Sequence, residues 1–181
     1  MRGARGGERE MVVKGGVWLI LGGARSGKTL RGLAIGSAYT SRIFIATAEA
    51  RDDEMHARIA RHRAERDTTW KTIEAPLDLC GALRKADRLD GVIVVDCLTL
   101  WLSNLMERNA SLEDEIANLI EALSSTSAAV IIISNEVGFG IVPDNALSRA
   151  FRDAQGRLNQ AIAAAADHVE LVVAGLPLVL K

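Results

Sequence analysis

Short runs of Val, Ile and Leu punctuate this chain, and between them lie segments whose apolar positions recur every three or four residues. Residues 17–21 (VWLIL), 42–46 (RIFIA), 91–95 (GVIVV), 129–134 (AVIIIS) and 168–174 (HVELVVA) are each of strand length. Continuous apolar runs, rather than strict alternation, suit strands covered on both faces. Residues 70–74 (WKTIE) make a further candidate strand with a polar side, and 178–180 (LVL) a last edge strand after Pro177. Helical patterns occupy residues 30–39, 52–66, 77–88, 98–106, 112–124 and 145–166. This alternation predicts an open α/β sheet, mostly parallel, with ligands at the carboxyl ends of its strands. No internal repeat or low-complexity tract interrupts it, so the expectation is a flexible extension over 1–16 and one domain over 17–181.

Composition narrows the partners. A formal net charge of −1 gives no electrostatic case for nucleic acid or an anionic membrane. Aromatic residues, at 4%, are too few for a surface on which single-stranded bases stack. The two cysteines, Cys80 and Cys97, lack C-x-x-C spacing and only three histidines accompany them. That argues against a disulfide framework or zinc site and fits a reducing, cytoplasmic setting. No apolar run approaches the roughly 20 residues of a membrane span, and the first ten residues lack the apolar core of a signal peptide.

The chemistry concentrates in four places. Gly22-Gly23-Ala24-Arg25-Ser26-Gly27-Lys28-Thr29 follows a candidate strand and runs into a candidate helix. Its G-x-x-x-x-G-K-T spacing lets backbone N–H groups turn toward one anion, which the helix N-terminus also attracts. Lys28 can reach the β- and γ-phosphates, and Thr29 offers a hydroxyl to Mg²⁺. Asp96 ends the run Val92-Ile93-Val94-Val95, where a carboxylate holds Mg²⁺ or caps the helix that begins near Leu98. In residues 52–66, acids fill the first turn and bases the second half. Met55, Ile59 and His62 share one stripe there, and Arg58, His62 and Arg66 line up at i, i+4 and i+8. Such a column is either a solvated, charge-laced face or a set of guanidiniums beside a nucleophile that attacks a triphosphate. Finally, residues 134–143 (SNEVGFGIVP) end a strand, as a ligand-lining loop or as a turn shaped by Gly and Pro.

Together these segments resemble the bifunctional adenosylcobinamide kinase/adenosylcobinamide-phosphate guanylyltransferase family of cobalamin biosynthesis. The resemblance spans residues 17–181 and rests on GGARSGKT (22–29), residues 45–76, VVDCLTLWLSNL (94–105), residues 134–160 and VVAGLPLVLK (172–181). The P-loop is widely shared, whereas the conjunction of EM-x-x-RI-x-x-H-R, NEVG-x-GIVP and R-x-FRD-x-x-G-x-x-N is specific. It implies a three-layer P-loop NTPase with a RecA-like, mostly parallel sheet, assembled as a homotrimer. It implies phosphorylation of adenosylcobinamide by ATP or GTP, then transfer of GMP from GTP through a histidine to give adenosyl-GDP-cobinamide. The family's guanylylated histidine matches His62, with Lys28 as the other catalytic residue. Its nucleotide contacts match the P-loop, Thr47, Ala48, Glu49, Arg63, Ala64, Glu65, Arg66, Glu74 and Asp96, and its Mg²⁺ contacts Thr29 and Asp96. Thr29 stands where serine is common and keeps the hydroxyl. Two rivals remain at this stage: a plain small-molecule kinase in which His62 is structural, and a RecA-like nucleotide-dependent binding protein.

Overall fold

The computed structural model describes residues 15–50, 53, 55, 60, 68–88 and 90–181. Seven strands make one sheet: β1 (Val17–Gly22), β2 (Ser41–Ala46), β3 (Trp70–Glu74), β4 (Gly91–Asp96), β5 (Ala129–Asn135), β6 (His168–Val173) and β7 (Leu176–Val179). Their order is β3-β2-β4-β5-β1-β6-β7, and every pairing is parallel except the terminal β6–β7 hairpin. The described helices are α1 (Lys28–Gly36), α2 (Leu79–Ala86), α3 (Leu98–Glu107), α4 (Leu112–Ser125) and α5 (Ala146–Ala165).

The apolar runs become central strands because both faces of the sheet are covered. Along β1, Leu19 and Leu21 enter one core with Leu79, Trp101, Leu119 and Leu158 from α2, α3, α4 and α5. Trp18 and Ile20 enter the other core, where Leu33 and Ile35 of α1 pack. Alternate side chains of a strand point to opposite faces, so a strand with apolar residues at both parities must be sandwiched. The expected α/β class is the one observed.

Several boundaries shift by one to three residues from the sequence pattern, α2 among them, and two of the elements show why. Helix α1 begins at Lys28 and ends at Gly36, rather than spanning 30–39. Ser37 closes it by donating from its hydroxyl to Ala34 O at 2.7 Å, the local bonding that draws serine out of helix interiors. Strand β7 starts at Leu176 and includes Pro177, which lies opposite Val172 in the antiparallel ladder. A proline is tolerated there because β7 is the sheet edge, where an absent N–H costs no ladder bond on the open side. Of the expected N-terminal extension, residues 1–14 lie outside the described residues, while Gly16 O already accepts from Val130 N–H at 2.9 Å. Of the predicted helix 52–66, Asp53, Met55 and Ala60 are helical and the rest lies outside the described residues. Among the described residues no helix is long and apolar enough to cross a membrane.

Candidate active site

Strand β1 delivers the chain to the carboxyl edge of the sheet, and the phosphate loop turns from there into α1. The turn needs left-handed backbone at Arg25 (φ 57°) and Gly27 (φ 96°), and Gly27 occupies the N-cap position of α1. No side chain caps α1 and its first turn carries no acid, so its own residues leave the positive end of the helix uncompensated. Gly22 must lack a side chain: a Cβ there would run into Ser26 Oγ and come within 2.7 Å of Val172 O. Lys28 is 9% exposed and its Nζ donates to Gly23 O at 2.8 Å, so the ammonium curls back over the loop. Ala24 and Arg25 form the exposed outer part of the turn.

Thr29 follows Lys28, and its hydroxyl donates to Asp96 Oδ2 at 3.0 Å. This contact bridges two strands that are not neighbours, since β5 stands between β1 and β4. Asp96 does not cap α3. The N-cap there is Cys97, with no side-chain cap hydrogen bond, which leaves the carboxylate turned to Thr29. A hydroxyl and a carboxylate brought together beside a phosphate loop are the hard oxygen donors that Mg²⁺ prefers. The donor set therefore fits that ion.

The remaining predicted residues lie along the same edge. Ala46 pairs with Asp96 on one side and with Glu74 on the other, so Glu74 stands two strand spacings, ~10 Å, from Asp96. Glu74 is exposed, Ala48 is half-buried, and Glu49 pairs with Arg108 at 3.6 Å. Thr47 is 0% exposed, and its hydroxyl donates to Cys97 O at 2.7 Å while accepting from Cys97 N–H at 2.9 Å. Its carbonyl accepts from Asn104 Nδ2 at 2.9 Å, so Thr47 braces the turn that carries Asp96. Beside it the buried Cys97 thiol is pushed up to about 11, first by desolvation and then by the Asp96 charge. His62, Arg63, Ala64, Glu65 and Arg66 lie outside the described residues.

Three features escaped the sequence reading. A buried polar cluster fixes the end of β5: Ser134 Oγ donates to Asn159 Oδ1 at 2.7 Å, Gln155 Nε2 donates to both, and Asn159 Nδ2 donates to Asn135 O at 3.1 Å. Its signal was the i, i+4 spacing of Gln155 and Asn159 on an otherwise apolar face of α5. The loop after β5, distant from the phosphate loop in sequence, starts against it, because Glu136 N–H donates to Gly22 O at 3.1 Å. Lastly, Glu170 of β6 is 3% exposed and receives both Arg31 Nε and Nη2 at 2.8 Å. No local pattern announces a partner so far away in the chain.

Comparison with known proteins agrees with this layout. Residues 18–180 match the family described as "Cobinamide kinase / cobinamide phosphate guanyltransferase". The bifunctional adenosylcobalamin biosynthesis protein CobP of Pseudomonas aeruginosa is 45% identical over 166 residues, covering 90% of this chain and 96% of that protein. Bifunctional adenosylcobalamin biosynthesis proteins named CobU are 39% identical in Salmonella typhimurium and 36% in Escherichia coli, each over 90% of this chain and 98% of the relative. The matched span takes in the phosphate loop, Asp96, the loop after β5 and the closing hairpin together, and the chain belongs to the cobinamide kinase/cobinamide phosphate guanyltransferase family.

Proposed function

We propose that this chain phosphorylates adenosylcobinamide with ATP or GTP, then passes GMP from GTP through His62 to the phosphorylated corrinoid, yielding adenosyl-GDP-cobinamide. The observation that carries the reading is the contact of Thr29 with Asp96 at 3.0 Å, beside Lys28 at the start of α1. It supplies a cation, a hydroxyl, a carboxylate and a helix N-terminus at one point, which is what a bound triphosphate requires. Family membership supports the choice of substrates.

In the kinase step the loop N–H groups and Lys28 grip the triphosphate, and the γ-phosphoryl passes directly to the corrinoid's hydroxyl. Positioning and charge stabilisation do most of the work in such transfers. Thr29 and Asp96 would hold Mg²⁺, which offsets negative charge on the phosphates when bound. In the second step a neutral His62 nitrogen attacks the α-phosphorus of GTP. The P–N bond forms, the bond to the bridging oxygen breaks, and pyrophosphate leaves with the electron pair while the imidazole sheds its proton. A phosphate oxygen of the corrinoid then attacks the same phosphorus, the P–N bond breaks, and the imidazole takes the bonding pair on that nitrogen and a proton back on the other, which restores neutral His62. Imidazole suits this role because much of it is unprotonated at neutral pH. Arg63 and Arg66 would pair with the triphosphate oxygens.

Protein incubated with Mg²⁺ and GTP labelled at the α-phosphorus should become covalently labelled, while GTP labelled at γ should leave it unlabelled. The bond should survive alkali and break in acid, as a phosphorus–nitrogen link does. An unlabelled wild-type protein that still phosphorylates adenosylcobinamide would reduce the chain to a plain kinase. The reading also places the enzyme in the cytoplasm as a homotrimer, and sedimentation that returned the monomer mass would remove the assembly.

A further inference from the structure

The C-terminal hairpin touches the phosphate loop at the Ser26–Gly27 peptide. Strands β6 and β7 are joined by Ala174 and Gly175, both left-handed at φ 51° and 81°, the geometry of a tight two-residue hairpin turn. Gly175 N–H donates to Ser26 O at 2.8 Å. A Cβ on Gly27 would lie 3.2 Å from Gly175 Cα, so turn and loop are in close approach. Ser26 Oγ is buried with no hydrogen-bond partner among the described residues, so Ser26 is held through its backbone, by its N–H to Gly23 O at 3.3 Å within the loop and by its carbonyl to the hairpin.

We propose that the Ala174–Gly175 turn is a positioning element for the triphosphate site, aiming the Gly27 N–H by holding the Ser26 carbonyl. A trans peptide is planar, with its C=O and N–H pointing in opposite directions. Fixing Ser26 C=O on the hairpin therefore points Gly27 N–H away from the hairpin, on the side where successive N–H groups form an anion nest. Without the Gly175 donor this peptide could turn over at little cost, because Gly27 tolerates most backbone angles. The Arg31–Glu170 pair adds a second tie from the same hairpin, one turn along α1 from Lys28. The hairpin thus sets a loop that lies some 150 residues earlier in the chain.

The proposal rests on reading residues 22–29 as the triphosphate site, and the test separates the two. A Cβ at position 175 meets nothing within 4 Å, so substitution there acts chiefly through backbone conformation. Gly175→Asn retains left-handed backbone and the N–H, whereas the β-branched Gly175→Val drives the turn out of that region. Binding of inorganic triphosphate and of GTP is measured by calorimetry for each. Gly175→Val should weaken both by about tenfold or more, the worth of a hydrogen bond to a charged group, while Gly175→Asn stays within about twofold of wild type. Native affinity in Gly175→Val, or equal losses in both variants, overturns the positioning role. If Gly175→Val does not fold, Gly175→Ala decides: weakened triphosphate binding supports the role and unchanged binding removes it. Failure of the wild type itself to bind inorganic triphosphate would instead sink the reading of the loop.

Discussion

Asp96 ends a buried strand but keeps its carboxylate half-exposed and bonded to Thr29. Exchanging it for Asn preserves size and a hydrogen-bonding oxygen while deleting the charge that a divalent ion needs. Asp96→Asn should therefore lower both transfer rates by about 10- to 100-fold, the worth of one charged contact. Raising Mg²⁺ should restore part of the loss, and rates that ignore Mg²⁺ concentration would assign Asp96 to structure alone. One residue further on, Cys97 makes a different claim. Its thiol ionises near 9.0 when unfolded and is pushed up to about 11 by burial and the Asp96 charge. The folded form therefore holds that proton more tightly than the unfolded form. Its contribution to stability is intact below pH 9 and is lost as pH climbs toward about 11. Denaturation midpoints of wild type and Cys97→Ala should accordingly converge, or cross, over that interval. A constant gap would mean that the thiol titrates alike in both states.

At the scale of elements, what could be read in advance depended on whether the signal was local. The central strands were legible because residues 91–95 and 129–134 are apolar at both parities, which only a sandwiched strand tolerates. The strand–loop–helix over residues 17–36 was legible from the glycine spacing and the patterns that flank it. Thr47 entered only as a nucleotide contact that the family resemblance implies, and its bracing of Cys97, 50 residues away, had no local signal. The same holds for Glu170, whose burial makes sense only once Arg31 arrives from α1. The polar cluster between α5 and β5 belongs to this scale. Asn159 accepts from Ser134 and Gln155 and donates to Asn135 O, so Asn159→Ala removes three hydrogen bonds of the buried cluster and leaves only the Gln155–Ser134 contact. A loss of about 2–4 kcal/mol is expected in denaturant unfolding. The exposed Arg152–Asp153 pair on the same helix offers the control, since Asp153→Ala should change stability by about 0.5 kcal/mol or less. Equal losses at the two positions would mean that the cluster does not hold α5 to the sheet.

For the whole molecule, the proposed function asks one sheet edge to serve two reactions. The parallel strands β3, β2, β4, β5 and β1 lie in that order and end along one edge, so Lys28, Thr29, Asp96 and Glu74 share a single rim. The kinase reaction breaks the bond to the γ-phosphorus, and guanylylation breaks the bond to the α-phosphorus, but both need the triphosphate gripped and its charge offset. Lys28 belongs to that shared requirement. On the proposed mechanism His62 serves one reaction only, because a γ-phosphoryl can pass straight to a hydroxyl without a protein nucleophile. Lys28→Ala should therefore depress both activities by several orders of magnitude while the protein stays folded, because Lys28, though buried, belongs to neither apolar core. His62→Asn should abolish labelling from α-labelled GTP and the formation of adenosyl-GDP-cobinamide, yet leave phosphorylation of adenosylcobinamide within a few-fold of wild type. The pair is read best in one experiment, with adenosylcobinamide, Mg²⁺ and GTP supplied to each variant and the corrinoid products separated. Accumulation of adenosylcobinamide phosphate in His62→Asn, and of no product in Lys28→Ala, is the expected pattern. Full α-labelling in His62→Asn would move the nucleophile elsewhere, His56 being the first candidate, and guanylylation that survives Lys28→Ala would require a second nucleotide position.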